Sequence, residues 1–183
     1  MATKKTDFAE VLQRIEPIVS GFGFAIQYTD NMDPFFKGDL DGKTIFISKN
    51  LSAEEKVFNL LHLAGHSIQW NVDELLRTLG SELYRNPDTQ LLLKLQTYEW
   101  QANCYALSIL HKTGQFNLDT WLTRKYIIDM LYLTHFYKTG EKLKQITQVA
   151  RAYPFKRKLE SKDIPSFVPK AGEYTRNGIV ISF

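Results

Sequence analysis

His62 and His66 stand four positions apart in the stretch EEKVFNLLHLAGHSIQW, residues 54–70. On an α-helix such a pair projects about 40° apart on one face, close enough to grip a single metal ion through two imidazole nitrogens. Two histidines do not complete a metal site. At least one more protein donor is needed, and where thiolates are scarce it is a carboxylate. The competing, purely structural reading is a pair of half-buried histidines bonded to backbone. Against it, the same face carries Glu55, Phe58, Asn59 and Gln69, which is more polar than a core stripe, and Gly65 leaves room for another backbone to approach.

A third donor is expected on a buried face elsewhere, and Glu99 occupies such a place. With Glu99 at 0° on a helical wheel, Leu92, Leu95, Asn103, Ala106 and Leu110 fall within about 40° of it. Lys94, Thr97, Gln101, Ser108 and Lys112 gather near the opposite side, which is expected to face solvent. A carboxylate in the middle of an apolar face is costly unless it is protonated, paired with a cation or bound to a metal. A buried ion pair with Arg77 or Arg124 is the alternative partner. The other histidines carry less signal: His111 projects near the solvent side of its helix, and His135 reads as a neighbour of Tyr132 and Phe136. Glu55, Asn103, His135 and Tyr137 are candidates for a supporting shell around the metal.

The elements that must position these residues are legible in outline. Thr6 is expected to cap a helix through about residue 20, with Pro17 arguing for an earlier or kinked end. Residues 24–29 read as a short strand, followed by a loop at 31–34. Residues 37–39 and 43–48 read as two strands joined through Leu40-Asp41-Gly42, Asp-Gly being a strong hairpin signal. Ser52 with Glu55 forms a capping box at the head of the histidine helix, which is expected to reach about Trp70. A second helix is expected over 72–84, ending before Asn86-Pro87. Asp88 opens a long helix to residues 110–112, closed near Gly114. Asn117 or Asp119 caps another to about Lys138, and Gly140 separates it from a basic helix over 141–152. The segment from Tyr153-Pro154 to Lys170 looks irregular, with a terminal hairpin or added strand around 176–181. The fold class expected is α+β, a small N-terminal sheet with a mainly helical remainder: one domain over 1–153, with 154–183 as a basic extension packed on it.

With 183 residues and 44% apolar content, the chain can bury a sizeable core in one domain. It opens MATKKTDF, without an apolar segment of secretory length, and no run reaches the roughly 20 apolar residues of a membrane span. A single cysteine, Cys104, excludes an internal disulfide and a cysteine-based cluster, so a soluble, cytoplasmic protein is expected. The net charge of +3 is unevenly placed: residues 138–170 hold nine Lys or Arg against three acids, a local +6, leaving −3 for the rest. Such a run is most often a solvated surface. Its functional reading is contact with an acidic partner or a phosphate backbone.

A hairpin followed by LSAEEKVFNLLHLAGHSIQW, then TYEWQANCYALSILH some thirty residues on, resembles the ImmA/IrrE family of zinc metallopeptidases. His62, Gly65 and His66 match that family's HExxH helix, and Glu99, Ala102, Asn103, Tyr105 and Ala106 match its later ExxANxFA helix. The resemblance covers roughly residues 37–112. It implies a zincin-like fold, zinc held by His62, His66 and Glu99, and a regulatory role toward another protein, since described members cleave or inactivate transcriptional repressors. The departure is Leu63, which stands where the family's catalytic glutamate belongs.

General-base assistance is worth about 10² to 10⁴ in rate, and leucine cannot accept a proton. The glutamate is not a ligand in this kind of site, so its loss leaves metal binding possible. Glu55 as a substitute base lies two turns from His62, about 10 Å along the axis. The expectation is a catalytically impaired, metal- and protein-binding regulatory homologue with no assigned catalytic residue. Its rivals are an active zinc-dependent endopeptidase with a substitute base, and a nucleic-acid-associated module using the basic segment.

Overall fold

A computed structural model of the chain describes residues 6–30, 37–81, 86–141, 143 and 157–172. Among these the fold is α+β, five α-helices and one three-stranded sheet.

Helix α1 (Phe8–Gly21) is capped by Asp7, whose carboxylate accepts from the amides of Ala9 and Glu10, so the cap falls one residue later than Thr6. Pro17 does not end it. The helix loses one donor there but continues to Gly21, because Val11, Ile15 and Val19 form a buried stripe that runs past the proline. The sheet comprises β1 (Ala25–Thr29), β2 (Gly38–Leu40) and β3 (Thr44–Ser48), in the order β1-β3-β2. β2 and β3 form the antiparallel hairpin expected from Asp-Gly, with Leu40 opposite Ile45 and Gly38 opposite Ile47. β1 adds parallel to β3, Ala25 opposite Thr44 through Thr29 opposite Ser48. Alternation in β3 turns Ile45 and Ile47 into the core.

Helix α2 (Ala53–Val72) carries the histidines. Ser52 and Glu55 make the reciprocal capping box, and every residue from Val57 to Trp70 is buried. Helix α3 (Glu74–Ser81) follows at once. Helix α4 (Thr89–Lys112), capped by Asp88, crosses α2, and α5 (Asp119–Thr139) follows a 3-10 turn at Phe116–Leu118 and ends at Gly140 in the left-handed region. Gly65 is where α2 meets α4: a Cβ there would overlap the carbonyl oxygen of Ala102 and lie 2.7 Å from its carbon. At the other side, Glu54 ties α5 to the head of α2, accepting from the Trp121 indole at 2.9 Å and pairing with Lys125 at 3.1 Å.

Residues 157–172 have no regular secondary structure and lie across the helices. Leu159 is buried, the Trp100 indole donates to the Lys158 carbonyl at 3.0 Å, and Phe167 stacks on Phe22 and Phe24. Ser108 is therefore buried rather than exposed: it accepts from the Lys162 amide at 2.7 Å beneath this strap. Two of the basic residues, Arg157 and Lys162, sit over the Trp100 ring at 3.4 and 4.6 Å from its centroid. The expected basic helix at 141–152 and terminal strand at 176–181 lie largely or wholly outside the described residues. Among those described, no helix is long and apolar enough to cross a membrane.

Candidate metal centre

α2 and α4 bring three donors to one point. Nε2 of His62 and Nε2 of His66 are 3.2 Å apart, and Oε2 of Glu99 lies 3.0 Å from the second and 3.6 Å from the first. All three side chains are buried, at 0%, 1% and 5% exposure. Donors bound tetrahedrally to one ion through bonds of about 2.0–2.1 Å sit about 3.3–3.4 Å from one another. The observed separations bracket that edge, so this group could hold a metal ion. The partners of Glu99 are these two histidines, whereas Arg77 donates to the Lys170 carbonyl at 2.7 Å.

Surrounding side chains prepare the rings. The Gln69 amide donates through Nε2 to the Tyr98 carbonyl at 2.8 Å, which turns its Oε1 toward Nδ1 of His66 at 2.9 Å. An amide oxygen only accepts, so Nδ1 of His66 carries a proton, and Nε2 faces the Glu99 carboxylate either as a second N–H of an imidazolium or as a lone pair shared with a cation. Two acceptors cannot face each other at 3.0 Å without a cation between them, either a proton on the imidazole or a metal ion. On the other ring, Nδ2 of Asn103 lies 3.1 Å from Nδ1 of His62 and 3.0 Å from the Glu99 carbonyl, while its Oδ1 has no partner. Turning that amide over would let Oδ1 accept from Nδ1–H and leave the His62 Nε2 lone pair for a metal, at the expense of the bond to the carbonyl. The rings are also wedged by packing, His62 on Phe58 and His66 on Tyr98.

Electrostatics suits ligation. Burial, reinforced by the neighbouring His66, pushes the His62 pKa down to about 4, so the ring is neutral at pH 7. Burial opposes ionisation of Glu99, but the charge and hydrogen bond of His66, with His62 behind it, outweigh this and hold the carboxyl below its usual range.

Asn103, expected in the supporting shell, is in contact with the group. Glu55 is not: its carboxylate accepts from Ser52 and pairs with Lys37 at 2.6 Å, which keeps it at the helix cap, away from His62. His135 and Tyr137 lie on α5 six and eight residues beyond Asp129, roughly 9 and 12 Å farther along the axis. Leu63 is fully buried in the core, and a Cβ on Gly38 of β2 would come within 2.5 Å of its Cδ1. The position next to the first histidine is thus occupied by packed hydrocarbon.

Two side chains at the group are given no role by the sequence reading. Gln69 was visible as a polar residue on the histidine face, three positions after His66. The second is Asp129 of α5, fully buried, with Oδ2 4.0 Å from Nε2 of His62 and with neither carboxylate oxygen accepting a hydrogen bond. Burial, and then the charge of Glu99, raise its pKa well above that of an ordinary aspartate. No family model, curated protein or solved structure matches the chain.

Proposed function

We propose that the chain is a zincin-like, ImmA/IrrE-type protein that binds zinc at His62, His66 and Glu99 and acts as a catalytically impaired regulatory protein in the cytoplasm, not as an ordinary peptidase. The observation that carries the metal is the convergence of three buried donor atoms, Nε2 of His62, Nε2 of His66 and Oε2 of Glu99, at separations of 3.0 to 3.6 Å. Loss of peptidase chemistry is supported by Leu63, whose buried side chain puts no proton acceptor beside the first histidine. A bound ion would supply Lewis acidity and a cross-link between α2 and α4.

The resemblance of the two helices to the family directs the partner toward a transcriptional repressor or another regulatory protein. An exposed apolar surface suits a protein partner: Leu75 and Leu93, 81% and 58% exposed, flank a groove between α3 and α4 that also includes Leu76 and Leu79. The single free cysteine, Cys104, is buried, which is compatible with a reducing compartment.

The test is metal analysis of the purified chain together with a cleavage assay on a flexible peptide library. One equivalent of zinc, lost in His62→Ala and Glu99→Ala, with no metal-dependent cleavage, is the expected result. Unchanged metal content in those variants overturns the site. Metal-dependent cleavage by the unmodified chain overturns the impaired reading in favour of an active endopeptidase. Binding to nucleic acid that weakens steeply with salt would instead bring the basic segment forward.

A further inference from the structure

We infer that Asp129 is a fourth protein ligand of the metal, making the centre a closed two-histidine, two-carboxylate site with no position open to substrate. This rests on the reading of His62, His66 and Glu99 as ligands and deepens it.

Charge is the first argument. A divalent ion held by two neutral imidazoles and one carboxylate leaves a net +1 in a site whose residues are at most 5% exposed. An uncompensated buried charge is strongly disfavoured, and a second carboxylate brings the sum to zero. Asp129 is the only further carboxylate within ion-pairing distance of the group among the described residues. Hydrogen bonding is the second. A fully buried aspartate normally accepts from several donors, yet neither oxygen of Asp129 accepts a hydrogen bond, while Oδ2 lies 4.0 Å from the ring nitrogen of His62. A cation at the centre would give those lone pairs a partner.

Geometry sets what must move. The ligand atoms of His62, His66 and Glu99 lie within 4.8 Å of one another, and Asp129 is outside that group, near its His62 side. Its Oδ2 is 4.0 Å from Nε2 of His62, against an edge of about 3.3–3.4 Å in a four-coordinate site. Because Asp129 also lies more than 4.8 Å from at least one of the other two donors, its carboxylate must close by about 1.5 Å or more, through side-chain rotation and approach of the other ligands, to fill the fourth corner. With that corner filled by protein there is nothing for a base at position 63 to act on, which accounts for leucine packed there against β2.

The 183-residue chain is stripped with a chelator and titrated with Co²⁺ and, by competition, with Zn²⁺. We expect one equivalent of Co²⁺ with the strong visible bands of four-coordination, unmoved by millimolar azide. Asp129→Asn, which keeps the side chain's shape and removes its charge, is expected to bind Zn²⁺ at least tenfold more weakly and to show Co²⁺ bands that shift with azide. Azide-sensitive bands in the unmodified protein, or a variant whose affinity and spectrum match it, overturn the inference while leaving the three-ligand site intact. The azide measurement requires no substitution, so a folding defect in the variant does not shield the idea. A chain that binds neither ion overturns the three-ligand site and Asp129's role together.

Discussion

Gly65→Ala separates the two helices that build the centre, and its effect can be worked from the crossing geometry. The new Cβ would overlap the Ala102 carbonyl oxygen and stand 2.7 Å from its carbon, where ordinary contact needs about 3.4–4 Å. The obstacle is backbone of α4, so no rotamer change relieves it, and the helices must move apart or slide by about 1 Å. Overpacking of this kind costs about 3 kcal/mol, or about 6–12 °C in the unfolding midpoint of a domain this size. Function should suffer more than stability. His62 and His66 ride on α2 and Glu99 on α4, with Glu99 Oε2 only 3.0 and 3.6 Å from the two ring nitrogens. Ligand positions tolerate about 0.5 Å of error, so a 1 Å opening detaches Glu99 from the pair. Circular dichroism melts with and without zinc measure both effects. The expected result is a variant that melts lower and gains little from zinc, whereas the parent gains stability with metal as any ligand of the folded state requires. A variant with parental melting and an undiminished zinc-dependent shift would refute the claim that close approach at Gly65 sets the site.

Three further perturbations separate the contributions of individual residues. Gln69→Leu removes the acceptor that fixes the His66 tautomer and the donor to Tyr98, and should weaken zinc binding about 10–100-fold in a competition titration, with the fold retained by far-ultraviolet circular dichroism. Leu63→Glu buries a carboxylate against β2, where Leu63 is fully enclosed. It should lower stability by about 3–5 kcal/mol in a denaturant melt and fail to confer metal-dependent peptide cleavage; robust cleavage would contradict the closed site. Glu55→Gln tests the helix cap. Burial works against the Glu55 charge, but Lys37 and Ser52 outweigh it and bring the pKa from 4.5 to about 2. A depressed acid stabilises the fold above its unfolded pKa and loses that contribution as pH falls through the folded one. The parent should therefore lose stability between about pH 4.5 and 2, and the variant should lose about 1 kcal/mol less over that window, a small figure because the pair is partly exposed.

What could be read from sequence follows how local each signal is. The capping box at Ser52 and Glu55 and the i, i+4 pair of His62 and His66 need only helical geometry, and both appear where the spacing places them. Glu99 required one further step, a wheel on which a carboxylate falls among leucines, and it succeeds because α4 is regular from Thr89 to Lys112. The orientation of the opposite side was not legible. Ser108 is buried by a strap more than fifty residues later in the chain, held through Trp100 and Ser108 itself, and an irregular segment has no periodicity to announce its docking. The β1–β3 pairing was equally hidden, since five-residue strands carry no mark of their neighbours. Pro17 misleads because a local rule about helix breaking yields to the burial of Val11, Ile15 and Val19.

Asp129 shows where the same arithmetic stops short. On α5, Leu122, Leu133 and Phe136 lie within about 40° of it, but so does Lys125, whose i, i+4 spacing offers an ordinary ion-pair partner, so the anomaly is weaker than at Glu99. A lysine one turn away makes an aspartate look paired from sequence alone, whereas in the fold Lys125 pairs with Glu54 instead. α5 packs on α4 and is also clasped to the head of α2 through Glu54, Trp121 and Lys125, with Asp129 Oδ2 4.0 Å from Nε2 of His62; the clasp is expected to help hold it there. Breaking the clasp with Trp121→Ala should therefore lower zinc affinity without touching any ligand. An unchanged affinity would mean that α5 is placed by its own packing on α4, and that Glu54 adds nothing to the centre.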